Sequence, residues 1–193
     1  MLLLVIGLVL FLGVHVLPTR VGLRQELIAR FGTNAYKLGF TALSAIGLVL
    51  IVYGYAKAQG LAGKNPQLWV PPSSGRHVAF TLMLPAMILL VASQVPSRIR
   101  TAVGHPMLAA IKLWALAHLV ANGTLAALLL FGSFLAWAIY DRVSVKSRNA
   151  RGPLGETPGT LTGDVIVVVV GVALYALMLF WGHAKLIGVP LVG

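Results

Sequence analysis

Five histidines and four carboxylates carry most of the reactive chemistry of this 193-residue chain, which has no cysteine. His15 and His118 fall inside long apolar runs, as does Lys112, while His77, His105 and His183 stand at run ends. An ionisable side chain in hydrocarbon is costly and faces a partner, so each is a functional hypothesis by default. Imidazole is also the ligand of choice for haem iron and many other metals. The lack of cysteine removes disulfides, thiolate catalysis, and Cys-bound zinc or iron–sulfur clusters. Glu26, Asp141, Glu156 and Asp164 all lie in loops or at run ends. That placement argues against a carboxylate-bridged di-metal site and against a nucleophile–His–carboxylate triad. What remains inside the apolar runs is histidine chemistry.

Helical geometry separates these groups. His105 and His118 are about 220° and about 20 Å apart on one straight helix, so they cannot share a metal from it. Lys112 lies seven residues after His105 and shares its face, about 240° around from His118. Lys112 is therefore expected to be a polar contact or a snorkelling cation rather than an iron ligand. His118 shares its face with Trp114 and Ala115. Two readings stand side by side. In one, the Trp/His face is a cofactor wall and the His/Lys face a polar seam or headgroup contact. In the other, every one of these side chains is satisfied by helix-to-helix hydrogen bonds.

The elements that must position them are membrane spans. Hydrophobic residues make up 59% of the chain and charged residues only 10%, with a mean hydropathy of +0.92. A soluble domain carries about 25% charged residues, so a water-soluble enzyme is excluded. The net charge of +11 comes from basic residues placed between apolar runs, a membrane pattern rather than a nucleic-acid-binding one. About 20 apolar residues cross a hydrocarbon core as a helix. Six runs qualify: Met1 to Leu17, about Leu38 to Ala56, Val78 to Val95, Pro106 to Val120, Thr124 to Tyr140, and Val165 to Phe180. The first has neither a basic lead nor a small-x-small cleavage site, which predicts a retained helix rather than a signal peptide. Pro106 suits a first turn and Asp164 an N-cap. The fold expected is all-α: residues 1–193 as one polytopic domain, a bundle of six transmembrane helices. A short interfacial amphipathic helix, VGLRQELIARF, follows the first span.

The loops set the orientation. Ten cations (Arg20, Arg24, Arg30, Lys37, Arg98, Arg100, Arg142, Lys146, Arg148, Arg151) fall on one side, and Lys57, Lys64, Arg76 and Lys185 on the other. With the basic side cytoplasmic, both termini are expected to be periplasmic. The Asn65–Pro72 stretch reads as extended, with Trp69 at the interface, and Ser147–Gly163 reads as a mobile linker.

Three segments carry a resemblance: FLGVHVLPTR, GHPMLAAIKLWALAHLVANGTLAALLLFGSFLAW and FWGHAKLIGVPL. Together they resemble the NnrU family of bacterial membrane proteins over essentially the whole chain. That family is associated with denitrification and nitric oxide metabolism, and is related to the 15-cis-ζ-carotene isomerase, a membrane protein that binds haem b. The resemblance implies a bacterial inner-membrane location and haem b held by His15 and His118 as axial ligands. It also implies that Trp114 packs on the macrocycle, with room at Ala115 for its edge. Arg20, Arg24, Arg98 or Arg100 would then face the propionates. The isomerase has cysteine where this chain has Ala115, and its plant form has arginine where this chain has Gly104. A thiolate-for-histidine exchange on iron therefore cannot operate here, which weakens isomerisation more than haem binding.

Two functions follow as expectations. The first is a haem b membrane protein with a redox, nitrogen-oxide or isomerase-like role, its partners being haem, lipid and a hydrophobic small molecule or respiratory proteins. The second is a non-enzymatic assembly or transport module for a respiratory complex, with structural histidines. A methyltransferase of the isoprenylcysteine type is disfavoured, because the charged C-terminal segment that binds its cofactor is missing. The expected pairing carries a depth problem, with His15 near one face of the membrane and His118 toward the other. It is relieved if the Ala121-Asn122-Gly123 turn is buried within the bundle; otherwise His77 or His183 is the better-placed partner for His118.

Overall fold

The first apolar run is helical from Leu2 to Val16 (α1). Pro18 then tightens the chain into a single 3₁₀ turn, Leu17–Thr19. α2, Val21–Phe31, follows with none of its residues buried. Gly32, at a φ of 82° that only glycine adopts cheaply, turns the chain directly into α3, Thr33–Gln59. This computed structural model describes residues 1–60, 63, 65–150, 152 and 154–192, so Lys64 and Arg151 of the basic tally lie outside the described residues. α4 is Gly75–Ala92, α5 Arg98–Val103 and α6 Pro106–Ala121, with Pro106 in the first turn as expected. α7 runs Leu125–Ser147 and α8 Leu161–Ile187, each broken by one π turn, at Leu128–Gly132 and Met178–Gly182. No strand occurs among the described residues.

The fold is all-helical, as the composition predicts. Five helices are long and apolar enough to cross a membrane: α1 with its 3₁₀ turn, α3, α4, α7 and α8. The sixth expected span, α6, has 16 residues. At 1.5 Å per residue it is about 24 Å long, short of a hydrocarbon core about 30 Å thick.

Packing follows side-chain size. α1 and α3 touch backbone to backbone: a Cβ on Gly7 would stand 2.7 Å from the Ile51 nitrogen, and one on Gly47 2.8 Å from the Phe11 nitrogen. Gly54 meets the Leu4 backbone even more closely. Small residues let membrane helices gain dispersion contacts that lipid tails would otherwise supply. α6 lies between α4 and α7, and α8 packs on α4. The core between α1, α3, α6 and α7 is built from Leu4, Leu8, Ile51, Ala58, Ala115, Ala126, Ala127, Leu130 and Phe131. Large apolar side chains such as Leu38, Val49, Val169 and Phe180 point outward. An apolar exterior on helices of spanning length is the surface a bilayer requires.

Two local expectations are corrected. The N-cap of α8 is Thr160, whose hydroxyl accepts from the Gly163 amide at 2.9 Å. Asp164 sits in the first turn and instead accepts from the Ile99 amide at 3.1 Å, satisfying the free N-terminus of α5. The connection before α8 is also not a free linker along its second half. Arg100 donates to the carbonyls of Gly155 and Thr157, and Thr160 bridges to Ser97 and donates to Pro96. Distant backbone polar groups pair here because a non-helical stretch beside the membrane needs partners.

Replacing Gly54 with valine should lower the thermal stability of the detergent-purified protein by about 2–3 kcal/mol through overpacking. Gly39→Val, on the same helix but facing open space, should cost far less. Equal losses in the two melting curves would show that the α1–α3 contact is not what holds the pair.

Candidate functional site

His15 lies near the C-terminal end of α1, its ring stacked on Phe11 with centroids 4.2 Å apart. Its Nδ1 donates to the Phe11 carbonyl at 2.6 Å. Phe40 of α3 and Trp137 of α7 stand at 5.1 and 5.8 Å, the latter edge-on. His118 repeats the arrangement on α6. Its Nδ1 donates to the Trp114 carbonyl at 2.8 Å, and its ring stacks on Phe131 at 4.4 Å. Because a carbonyl only accepts, each bond places a proton on Nδ1, so the neutral form of each ring keeps its lone pair on Nε2. Ligating histidines are oriented by that same kind of bond from the ring nitrogen that does not bind the metal.

The two imidazoles are linked through other rings. Phe11 contacts Phe134 at 5.6 Å, Phe134 contacts Trp114 at 5.5 Å, and Trp114 contacts His118 at 5.3 Å. On α7, His15 stands beside Trp137 and His118 beside Phe131. Those neighbours are six residues apart, about 9 Å of rise. Trp114 thus packs where expected, on the His118 face, while Ala115 is fully buried within the packed core. Phe11, Phe131, Phe134 and Trp137 were not singled out from sequence. Their signal was present in the spacing: Phe11 lies four residues before His15, and residues 131, 134 and 137 recur every third position.

The turn after α6, four residues beyond His118, is held by a distant segment of the chain. The Leu68 amide donates to the Gly123 carbonyl at 2.7 Å and the Leu125 amide to the Pro66 carbonyl at 3.0 Å. The Asn65 side chain accepts from the Ala126 amide at 2.9 Å. A side chain on Gly123 would collide with the Trp69 carbonyl. The 65–70 segment therefore packs over the Asn122–Gly123 turn, with Gly123 buried beneath it and Asn122 half-buried.

The other expected site residues separate. Arg98 pairs with Asp164 at 3.8 Å and Arg100 binds the connection before α8, so neither head faces the histidines. Arg20 lines a groove of about 550 Å³ between α1 and α7, together with Trp137 and Tyr140. Arg24 lines a different cavity, with Tyr36 and Lys37. Lys112 is half-buried on α6. His77 is exposed. The Nδ1 of His183 donates to the Val189 carbonyl at 2.7 Å. Among the described residues, no group of three or more His, Cys, Asp or Glu side chains converges to hold a metal ion.

A polytopic helical membrane protein with histidines set among aromatic rings is the class these features define. Residues 3–191 match the family model described as NnrU protein, and the chain belongs to that family. No curated protein and no solved structure gives a significant match.

His105 occupies the position just before α6, its side chain not bonded to the helix amides. Burial first, then the Arg142 guanidinium, hold its imidazole below the usual range, with Asp141 pulling weakly the other way. The unfolded chain then binds the extra proton first, so this residue's contribution to stability is present above about pH 6.5 and fades as pH falls through the folded value. Melting curves compared down to about pH 5 should show a smaller acid loss in His105→Gln than in the parent. Parallel curves for the two proteins would remove His105 from the acid response.

Proposed function

We propose that the chain is a haem b-binding protein of the bacterial inner membrane. His118 first, and His15 with it, are the residues that would hold the iron, in a redox or nitrogen-oxide role linked to denitrification. A ζ-carotene-isomerase-like reaction is the enzymatic form of the same proposal. The observation that carries this reading is the matched pair of imidazoles, each with Nδ1 engaged by a carbonyl four residues back and Nε2 left free. The side-chain types are those such a group takes, imidazole donors and flat apolar walls. When bound, haem supplies a one-electron redox centre. The protein's own part is to orient the imidazoles, to exclude water with Phe11, Phe131, Phe134 and Trp114, and to place Arg20 where a carboxylate can reach it from the α1–α7 groove. Phe11, Phe134 and Trp114 lie between the two histidines, so joint ligation requires that ladder to part.

A second reading has an observation of its own. Each imidazole already has a carbonyl acceptor and a stacked phenyl ring, as structural histidines of an assembly or transport module would. Colour separates the two. The purified protein should show a Soret band and a type b pyridine haemochromogen; a colourless, folded sample supports the module. His118→Ala should abolish the pigment. His15→Ala should leave a five-coordinate, high-spin form that added imidazole returns to low spin. Should His15→Ala keep the parent low-spin spectrum while His183→Ala loses it, His183 is the axial partner and the His15 assignment fails.

The orientation belongs to the same proposal, with both termini periplasmic. A reporter fused at the C-terminus and one inserted between α7 and α8 should read opposite compartments. A cytoplasmic C-terminus would reverse the assignment.

A further inference from the structure

A second cavity, of about 470 Å³, opens beside the 3₁₀ turn and is lined by Pro18, Arg24, Tyr36, Lys37, Phe40, Thr41 and Arg148. Its three cations come from three separate elements: α2, the first turns of α3, and the C-terminal end of α7. One carboxylate stands nearby, Asp141, 3.7 Å from Arg148, and Arg148 also donates to the Ser144 hydroxyl. Arg24 lies over the Tyr36 ring at 6.0 Å. The Tyr36 hydroxyl is buried and has no hydrogen-bond partner. Convergence of like charges is unfavourable unless an anion joins them. A buried hydroxyl without a partner likewise calls for an acceptor.

We infer that this cavity binds the phosphate of an anionic phospholipid. The shared chemistry is a phosphate oxyanion, which accepts from guanidinium, ammonium and phenol together. A lipid rather than free phosphate is favoured by the setting. The cations stand where the apolar bands of α1, α3 and α7 end, and Pro18, Phe40 and Thr41 supply a less polar wall on which the glycerol and first methylenes can lie. α2, with no buried residue and apolar side chains at Val21, Leu23, Leu27, Ile28 and Phe31, has the composition of a helix lying in that same layer. Basic pockets between helices on the basic side of a membrane are where anionic headgroups bind. This inference does not depend on the histidines or on haem.

The test uses the full chain in detergent micelles, with native mass spectrometry of one-to-one adducts. Dioleoyl phosphatidylglycerol is compared with dioleoyl phosphatidylcholine. The parent should prefer the anionic lipid, and Arg24→Gln/Lys37→Gln should lose about thirtyfold of that preference. Arg30→Gln, on the same α2 but outside the cavity, should keep it. Should the double variant fail to fold, the parent alone decides, because its preference must collapse between about 50 mM and about 500 mM NaCl. A preference that survives the double substitution or the salt would overturn the site. Displacement of the phosphatidylglycerol adduct by a millimolar excess of inorganic phosphate would show that free phosphate, not lipid, is the ligand.

Discussion

A helix that stops inside a membrane protein leaves its last carbonyls bare, and hydrocarbon offers them nothing. α6 ends after 16 residues, so the segment that follows needs polar partners from elsewhere in the chain. Asn122 turns its amide back onto the His118 carbonyl at 2.9 Å, and the 65–70 segment pairs with the turn and the start of α7. The Asn65 side chain reaches the first turn of α7, while the backbone from Pro66 to Trp69 pairs with Gly123 and Leu125. Only glycine leaves room at position 123 for the Trp69 carbonyl. This closure fixes how the end of α6, four residues beyond His118, joins the start of α7.

Once α6 is held short, α7 has to bring its aromatic rings to the right height. Its π turn at Leu128–Gly132 inserts extra residue length just where Phe131 meets His118. Such turns are costly and recur at functional positions. From there the rings run without a break: His118, Trp114, Phe134, Phe11 and His15. At the far end Phe11 stands at the glycine contact between α1 and α3, its Cβ 2.9 Å from where a Cβ on Gly47 would lie, and its ring reaches Phe134 of α7.

Much of this was legible in the residues. Run length and hydropathy marked the helices, Pro106 marked the start of α6, and the lack of interior carboxylates left histidine as the interior chemistry. Other features were not legible because they depend on pairing between distant segments, which no local period records. Thr160 caps α8, and Asp164 joins the cap Ser97 in holding the first turn of α5, because Ser97 and Thr160 pair across more than sixty residues. Read locally, an aspartate just ahead of a valine run looks like the cap of its own helix. The same blindness made the Gly155–Gly163 stretch look mobile, when Arg100 fastens it. Five of the six expected runs form helices of spanning length, and the sixth, α6, is a 16-residue apolar helix packed between α4 and α7.

The basic residues show how a single charge tally conceals different physics. All ten on the richer side weigh equally in an orientation argument, yet their chemistry divides them. Arg98 and Arg100 are engaged with Asp164 and with loop carbonyls, so their charge serves the fold of the connection between α7 and α8. Arg148 is half engaged, by Asp141 and Ser144. Arg24 and Lys37 stand with an aromatic ring and each other's repulsion instead of a carboxylate. A guanidinium held by a carboxylate is locally neutral and attracts little further charge, whereas two cations without one keep a field that only an external anion can quench. The chain has four carboxylates for fifteen cations, so such unquenched sites must exist somewhere on its surface. They fall at the end of the bundle where His15, the 3₁₀ turn and the amphipathic α2 meet, which is the end that must also settle among headgroups.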